Sequence, residues 1–506
     1  MKQKYQYLVK NIGILTLSNF SSKILGFLLV PLYTSVLSTT EYGIFDLVSS
    51  TVQLLMPIFT ANIMGAVMRF IMDSSIEKDY VVEIGVKYIM SGCLFMGITL
   101  YLVSKSDILK DVTGLEYLIF FYYVFYSINQ FLIQLSKGLE CVSDMAVAGF
   151  IGTASMLVAN VFFLLVFYMG LKGFFIANIL AQAVPAFYLI FKQRIWNYFV
   201  LSTHKKQKNY NILKREMLSY SVPLILTDIG WWVNNSFDRY IVIGFCGTMA
   251  NGLLAVAYKI PAILNVFQGI FIQAWQISAV KEIDNEENNN FYNQSYVYMN
   301  MVICIMCAGL ILLSKQIAYV LYAKDFFNAW KYVPFLLVSS LFNAVAGYFG
   351  PLLAAKKDSV SMAESAFYGA LANIILDIIL VKYIGIQGAA IATAVSSYII
   401  YFIRKRAADT FIAIRKDWHI VFSWVLVCIQ AFASVYSASV IMQIFLFIVI
   451  IILYAAQLKS LLYKLFRKGG EIMAGEKKDI PRKKRGGVID IPIYHITLYG
   501  GDMVWE

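Results

Sequence analysis

The chain has 506 residues, 60% of them hydrophobic and 14% charged, with a mean hydropathy of +0.69. A soluble domain of this size cannot hide so much apolar surface, which leaves a polytopic membrane protein. The formal net charge of +12 would point to nucleic acid in a soluble chain. Here its placement reads as membrane topology, and no nucleic-acid partner is expected.

The first apolar run, 11–32, follows Lys2, Lys4 and Lys10 with no small-residue cleavage site. An uncleaved first helix is therefore expected rather than a signal peptide. Runs of about twenty apolar residues suit a hydrocarbon core of about 30 Å, and the same length test gives about fourteen of them. Their limits are 11–32, 45–67, 85–104, 116–136, 144–168, 173–191, 217–237, 252–278, 293–313, 332–354, 360–380, 386–403, 419–437 and 440–458, with Cys246 as an alternative end of the seventh.

The stretch from Asn11 to Gly43 carries Lys23 near the middle of the first span. A lysine there costs about 2.5–3.5 kcal/mol unless it faces a wet or paired interior. At helical spacing Ser18, Ser22 and Gly26 make one small face for close helix packing. Asn19 and Lys23, four residues apart, point beside that face toward a cavity. The alternative, snorkelling to a headgroup, has to cover about 18 Å at 1.5 Å per residue.

An even span count puts both termini on one side, and lysine and arginine choose which. The amino terminus, the loop from Lys192 to Arg215, the segment from Arg404 to Lys416 and the tail from Lys459 to Arg485 hold most of the positive charge. The opposite loops hold Lys105, Lys110, Lys172, Arg239, Lys315, Lys324, Lys331 and Lys382. Both termini are therefore expected to be cytoplasmic, on a multi-pass protein of the cytoplasmic membrane. The longest inside loop, 192–216, reads as a basic linker between an N-terminal lobe, 1–191, and a C-terminal lobe, 217–403. An appended pair of spans, 404–458, and a basic tail, 459–506, follow.

The two lobes carry matching motifs. GLKGFFIA at Gly170 to Ala177 matches GIQGAAIA at Gly385 to Ala392, and TxxxG recurs as Thr39–Gly43 and Thr248–Gly252, each pair about 210 residues apart. Two matches at nearly one offset point to duplication. An even number of spans per repeat, about six, makes the repeats parallel and leaves a cleft between two bundles.

Polar residues interrupt three later spans. Span seven places Asp228, Trp231 or Trp232, Asn235 and Asp238 on one helical face. Span eight carries Lys259 just before Pro261, a proline expected to kink the helix and free carbonyls, as in the broken helices that line transporter cavities. Span eleven carries Glu364 and Asp377, for which interhelical polar packing is the alternative reading. Lys23 and Lys259 in a wet cleft suit a phosphate or carboxylate anion, with Asn19 and Asn235 as further substrate-binding candidates. Asp228 is a candidate counter-charge and, with Asp377, a candidate site for a coupling ion, H+ or Na+; no other cofactor is expected. Some of the 34 Tyr and 37 Phe could stack on sugar rings, although most belong to belt and core and nothing local selects among them.

Cys304 and Cys307 form a CxxC inside an apolar span with no second pair, and His204, His419 and His495 lie far apart, so no metal centre is expected. A P-loop, HExxH and GxSxG are absent and all loops are short, so an enzyme is not expected.

These segments carry a family resemblance. SNFSSKILGFLLVPLYTSVLSTTEYGIFDLV and NIILDIILVKYIGIQGAAIATAVSSYI, the latter from Asn373 to Ile399, resemble Wzx-type polysaccharide flippases of the MOP superfamily. That superfamily also holds MATE drug exporters and the lipid II flippase MurJ. The resemblance covers spans one to twelve at least. It implies an all-α, two-lobed fold that moves an undecaprenyl-pyrophosphate-linked oligosaccharide to the outer leaflet by alternating access, for O-antigen, capsule or exopolysaccharide assembly. Implied partners are membrane lipids, a polysaccharide polymerase and glycosyltransferases. Lipid II flippases have a cationic residue in an SRVLGF segment, matched here by Lys23 in SKILGF, and one early in span eight, similar to Lys259 in AYKIP. Both are lysine here, a point charge in place of a bidentate fork. Two other readings compete: a MATE-like exporter of a small cation, whose cavity should be net acidic, and a scaffold that recruits polysaccharide enzymes through its basic loops and tail.

Overall fold

The computed structural model describes residues 26–73, 75–105, 112–201, 207–282, 289–356, 358–412, 414, 417–437 and 439–460. Every helix labelled below lies in one compact unit, Met1–Leu453; of the second unit, Tyr454–Glu506, residues 454–460 are described.

The described chain is helical from end to end. The first group is α1 (Val30–Val36), α2 (Thr39–Phe59), α3 (Ile63–Ile71), α4 (Lys78–Ser104), α5 (Glu116–Gly138), α6 (Val142–Asn160), α7 (Gly170–Lys192) and the short α8 (Trp196–Leu201). A 40-residue helix, α9 (Gln207–Cys246), follows. The second group is α10 (Thr248–Ala257), α11 (Pro261–Glu282), α12 (Asn289–Leu321), α13 (Val333–Ala355), α14 (Ser359–Ile384), α15 (Ile386–Ala408), α16 (Trp418–Tyr436) and α17 (Val440–Leu453). Among the described residues ten helices are long and apolar enough to cross a membrane, eleven with the bent pair α10 and α11 counted as one span. The expected count of about fourteen includes the span 11–32, of which residues 11–25 lie outside the described residues.

Two expected spans are broken. Span two stops at Thr60, passes through Ala61 at φ 51° and Asn62 at φ 48°, and restarts as α3. Left-handed backbone at a non-glycine residue is strained, though asparagine tolerates it best. Span eight bends by 47° between α10 and α11. Pro261 opens α11 and has no N–H to continue the ladder, so the chain turns at Tyr258 and Lys259, as the proline led us to expect.

The matching motifs adopt matching geometry. Gly170 starts α7 at φ 53° and Gly385 precedes α15 at φ 61°, conformations that suit glycine. Three residues on, Gly173 presses against the Phe163 carbonyl and Gly388 against the Leu380 backbone, leaving no room for a side chain.

α9 joins the two groups. Its first turns bury Leu213 and Met217 in the core of the first group, among Val67, Ile84, Phe131 and Leu189. Its last turns pack on α10, α14 and α15 of the second group. At about 60 Å it is twice the thickness of a hydrocarbon core. It fails the apolar test because Asp228, Asn234, Asn235, Asp238 and Arg239 interrupt its middle turns.

Candidate functional site

The two groups meet where α2 and α10 cross. A capping box starts α2: the Glu41 N–H donates to Ser38 Oγ at 3.2 Å, and the Ser38 N–H donates to the Glu41 carboxylate at 2.8 Å. That fixes Thr39–Gly43 on the face turned toward α10. A Cβ on Gly43 would overlap the Thr248 carbonyl oxygen, and one on Gly252 would overlap the Thr39 carbonyl oxygen. The two TxxxG motifs therefore pack against each other, backbone on backbone, as small residues allow between helices in lipid. Asn251 ties the crossing by donating to the Gly43 carbonyl at 2.9 Å. Nearby, Thr34 of α1 donates to the Leu321 carbonyl at 2.9 Å and accepts from the Ala323 N–H at 3.1 Å. The Tyr42 ring meets Phe326 edge-on. We call this the junction end.

One turn further in, charges replace glycines. Arg239 of α9 donates from Nε to Asp46 of α2 at 2.7 Å and contacts Asp238 from Nη1 at 3.3 Å. Asp238 also accepts from the Tyr258 hydroxyl at 2.6 Å, and Asn251 approaches Asp46 at 3.3 Å. Lys259, half-buried at the bend, lies against the Tyr42 hydroxyl and within electrostatic reach of Asp46. Asp377 of α14 is fully buried in reach of Asp238, and neither of its oxygens has a partner. The Asn373 amide nitrogen, one turn back, is likewise unpartnered. Among the described residues the roof of the space between the groups thus holds three carboxyls, Asp46, Asp238 and Asp377, against two bases, Arg239 and Lys259.

Below the roof the facing helices carry exposed polar residues. Gln53, Asp228, Asn235, Asn265 and Asn343 are all exposed, and Trp231 is 60% exposed. An uncovered amide facing hydrocarbon costs too much to recur on four helices, so this space between the groups is wet. Asp228 accepts from the Asn62 amide at 2.7 Å, which the α2–α3 break places there. Its neighbour Trp232 instead binds the first group, donating to the Ser50 carbonyl at 2.8 Å.

The sequence-based candidates scatter accordingly. Lys23 and Asn19 lie outside the described residues. Lys259 sits at the roof, Asn235 and Asp228 on the cleft wall, and Asp377 behind Asp238. Asn235 donates to the Trp231 carbonyl one turn back at 2.7 Å. Asp228, the candidate counter-charge, accepts from the Asn62 amide. Arg239, counted among the opposite loops, lies inside α9, which ends at Cys246, the longer of the two ends read for span seven, and the guanidinium is held between two carboxylates. Asp46 was missed. Its one signal is an acid inside the apolar run IFDLV, opposite in sign to the arginine inside FDRY.

Comparison with known proteins agrees with this architecture. An uncharacterized membrane protein of Methanocaldococcus jannaschii is 22% identical over 412 residues, 78% of this chain and 96% of that one. A probable low-salt glycan biosynthesis flippase of Haloferax volcanii is 22% identical over 228 residues, 44% of this chain and 48% of its own. The lipid II flippase MurJ in an inward closed conformation superposes with a TM-score of 0.58 at 18% identity, over 88% of this chain and 99% of that one. An inward-facing multidrug MATE transporter of the MOP superfamily gives 0.60 at 13% identity, over 77% and 94%. At these identities the structures establish the fold alone. The match to a family model covers residues 8–276, more than half of the sequence, and on that ground the chain belongs to the polysaccharide biosynthesis protein family.

Proposed function

We propose that this protein is a flippase that carries a lipid-linked oligosaccharide across the cytoplasmic membrane by alternating access, for assembly of a surface polysaccharide such as O-antigen, capsule or exopolysaccharide. The observation that carries the reading is the seam: two helical groups clasped at one end, backbone to backbone, above a wet polar cleft. Lobes 1–191 and 217–403 would rock about that seam, joined by the linker 192–216, with the pair 404–458 and the tail 459–506 outside the repeat. The junction end would face outward and the basic end the cytoplasm, following the bias of lysine and arginine. Polymerase and glycosyltransferase partners fit the same pathway.

Lys23 and Lys259 would hold the diphosphate or an acidic sugar, with Asn19 and Asn235 beside them. In the junction-closed state Lys259 is answered by Asp46, so an arriving anion competes with that carboxylate. Replacing either lysine with alanine is expected to lower flipping by about tenfold or more, the loss of one charge-assisted contact. Lys259→Arg should retain most of the rate. The measurement is dithionite quenching of a fluorescent polyprenyl-diphosphate saccharide in proteoliposomes, and an unchanged rate in Lys259→Ala would remove that residue from the mechanism.

Asp377 would take the coupling ion. A buried carboxyl without a donor suits a proton or a hard monovalent cation. Asp377→Asn is expected to leave slow flipping that no longer responds to an imposed H+ or Na+ gradient. A gradient response equal to that of the unmodified protein would rule Asp377 out.

The excess of carboxyls among the described residues of the roof favours a second reading, a MATE-like exporter of small cations. Drug susceptibility in a deletion strain separates the two: sensitisation with intact surface polymer supports the exporter, and loss of polymer alone supports the flippase.

A further inference from the structure

We infer that Trp231 is a stacking platform for a pyranose ring, flanked by the amides of Asn235 and Gln53, and that it reads the sugar and not the lipid of the substrate. The inference rests on the flippase reading and names a subsite within it. Adjacent tryptophans on α9 do opposite things. Trp232 turns into the first group: its indole N–H is satisfied by the Ser50 carbonyl and its ring meets Tyr240. Trp231 lies about 100° around the helix, makes no ring contact or indole hydrogen bond among the described residues, and is 60% exposed.

Helical geometry says which side that is. At 100° per residue Trp231 and Asn235 share the sector of α9 that Asp238 uses to meet Tyr258 of the bend. The opposite sector carries Leu226, Val233 and Phe237, an apolar stripe fit for lipid. Trp231 therefore faces the cleft. Depth agrees. Gln53 is two turns below Asp46 on α2, and Trp231 just over two turns below Arg239 on the antiparallel α9, about 10–12 Å under the ion pair in both cases. Gln53 is exposed, with its amide nitrogen engaged by Ser49 Oγ at 3.3 Å, and Asn235 is exposed one turn above Trp231.

An uncovered indole costs surface in water, and the C–H face of a pyranose covers it while the hydroxyls at the ring edge reach amides. Neutral amides beside an aromatic plane recognise a sugar. A diphosphate calls for cations, and those stand higher, at Lys259.

The test is binding of two probes to the full-length protein in nanodiscs: a polyprenyl diphosphate carrying one N-acetylhexosamine, and the same lipid without sugar. Trp231→Ala is expected to weaken the sugar-bearing probe by about tenfold and leave the bare lipid unchanged. Trp231→Phe should restore most of the loss, and Lys259→Ala should weaken both probes. Equal binding of the two probes by the unmodified protein, or equal weakening of both by Trp231→Ala, would overturn the platform while leaving the flippase reading in place. Failure of the unmodified protein to bind either probe would instead remove the flippase reading, and the platform with it.

Discussion

Leucine in place of Gly252 is expected to abolish transport while the protein still reaches the membrane. The reason is local: a side chain at that position occupies the space of the Thr39 carbonyl, which belongs to backbone and cannot rotate away. The helices must separate, and separation removes the Asn251 to Gly43 bond and exposes the Asp46–Arg239 pair. A closed state that loses about 3 kcal/mol falls more than a hundredfold in population. Gly43→Leu should act alike, since its side chain would strike the Thr248 carbonyl from the other side. Gly65→Ala is the control. It too lies between the groups, yet its nearest neighbour is the Leu224 methyl at 3.4 Å, ordinary contact with a flexible side chain, and transport should stay near normal. The closed state itself is read by a single cysteine at Ala250, buried at 6% exposure, in a cysteine-free background. Gly252→Leu should open it to a membrane-impermeant maleimide, and unchanged protection would mean that the seam does not need its glycines.

Parts of this seam could be read in the sequence. The TxxxG repeat was visible as a repeat, and small residues at that spacing imply close packing. What no local pattern carries is that the two copies pack on each other, because nothing in either stretch names a partner about two hundred residues away. Pro261 announced the bend in span eight. The break after α2 was silent, since Ala61 and Asn62 take left-handed backbone without a glycine to mark it. Charges misled most. Arg239 looked like a loop residue because it ends an apolar run, and Asp46 looked incidental. Only the fold sets them 2.7 Å apart and turns two isolated costs into one pair. High aromatic content likewise suggested stacking without choosing a residue, and the choice falls to the rotation of α9.

That ion pair makes the second strong expectation. Arg239→Gln should be among the most damaging conservative changes in the chain, because the guanidinium serves two carboxylates at once. Removing it leaves the half-buried Asp46 with Lys259 alone and the buried Asp238 without its cation, a loss of about 3 kcal/mol, the low end for a broken buried pair. Asp46→Asn should be milder, as Arg239 keeps Asp238 and its bond to the Asn235 carbonyl. The double variant Asp46→Asn with Arg239→Gln should then be better than the sum of the two, with a coupling of about 1–3 kcal/mol. Thermal unfolding in detergent measures this, and strict additivity would mean that the pair does not bind the groups together. Exchanging the two residues, Asp46→Arg with Arg239→Asp, is not expected to rescue. The exchange would set a new carboxylate directly beside Asp238, whose second oxygen is already held by Tyr258. A swap that restored both unfolding temperature and transport would therefore assign the site to one simple ion pair and exclude the arrangement in which Arg239 serves Asp46 and Asp238 together.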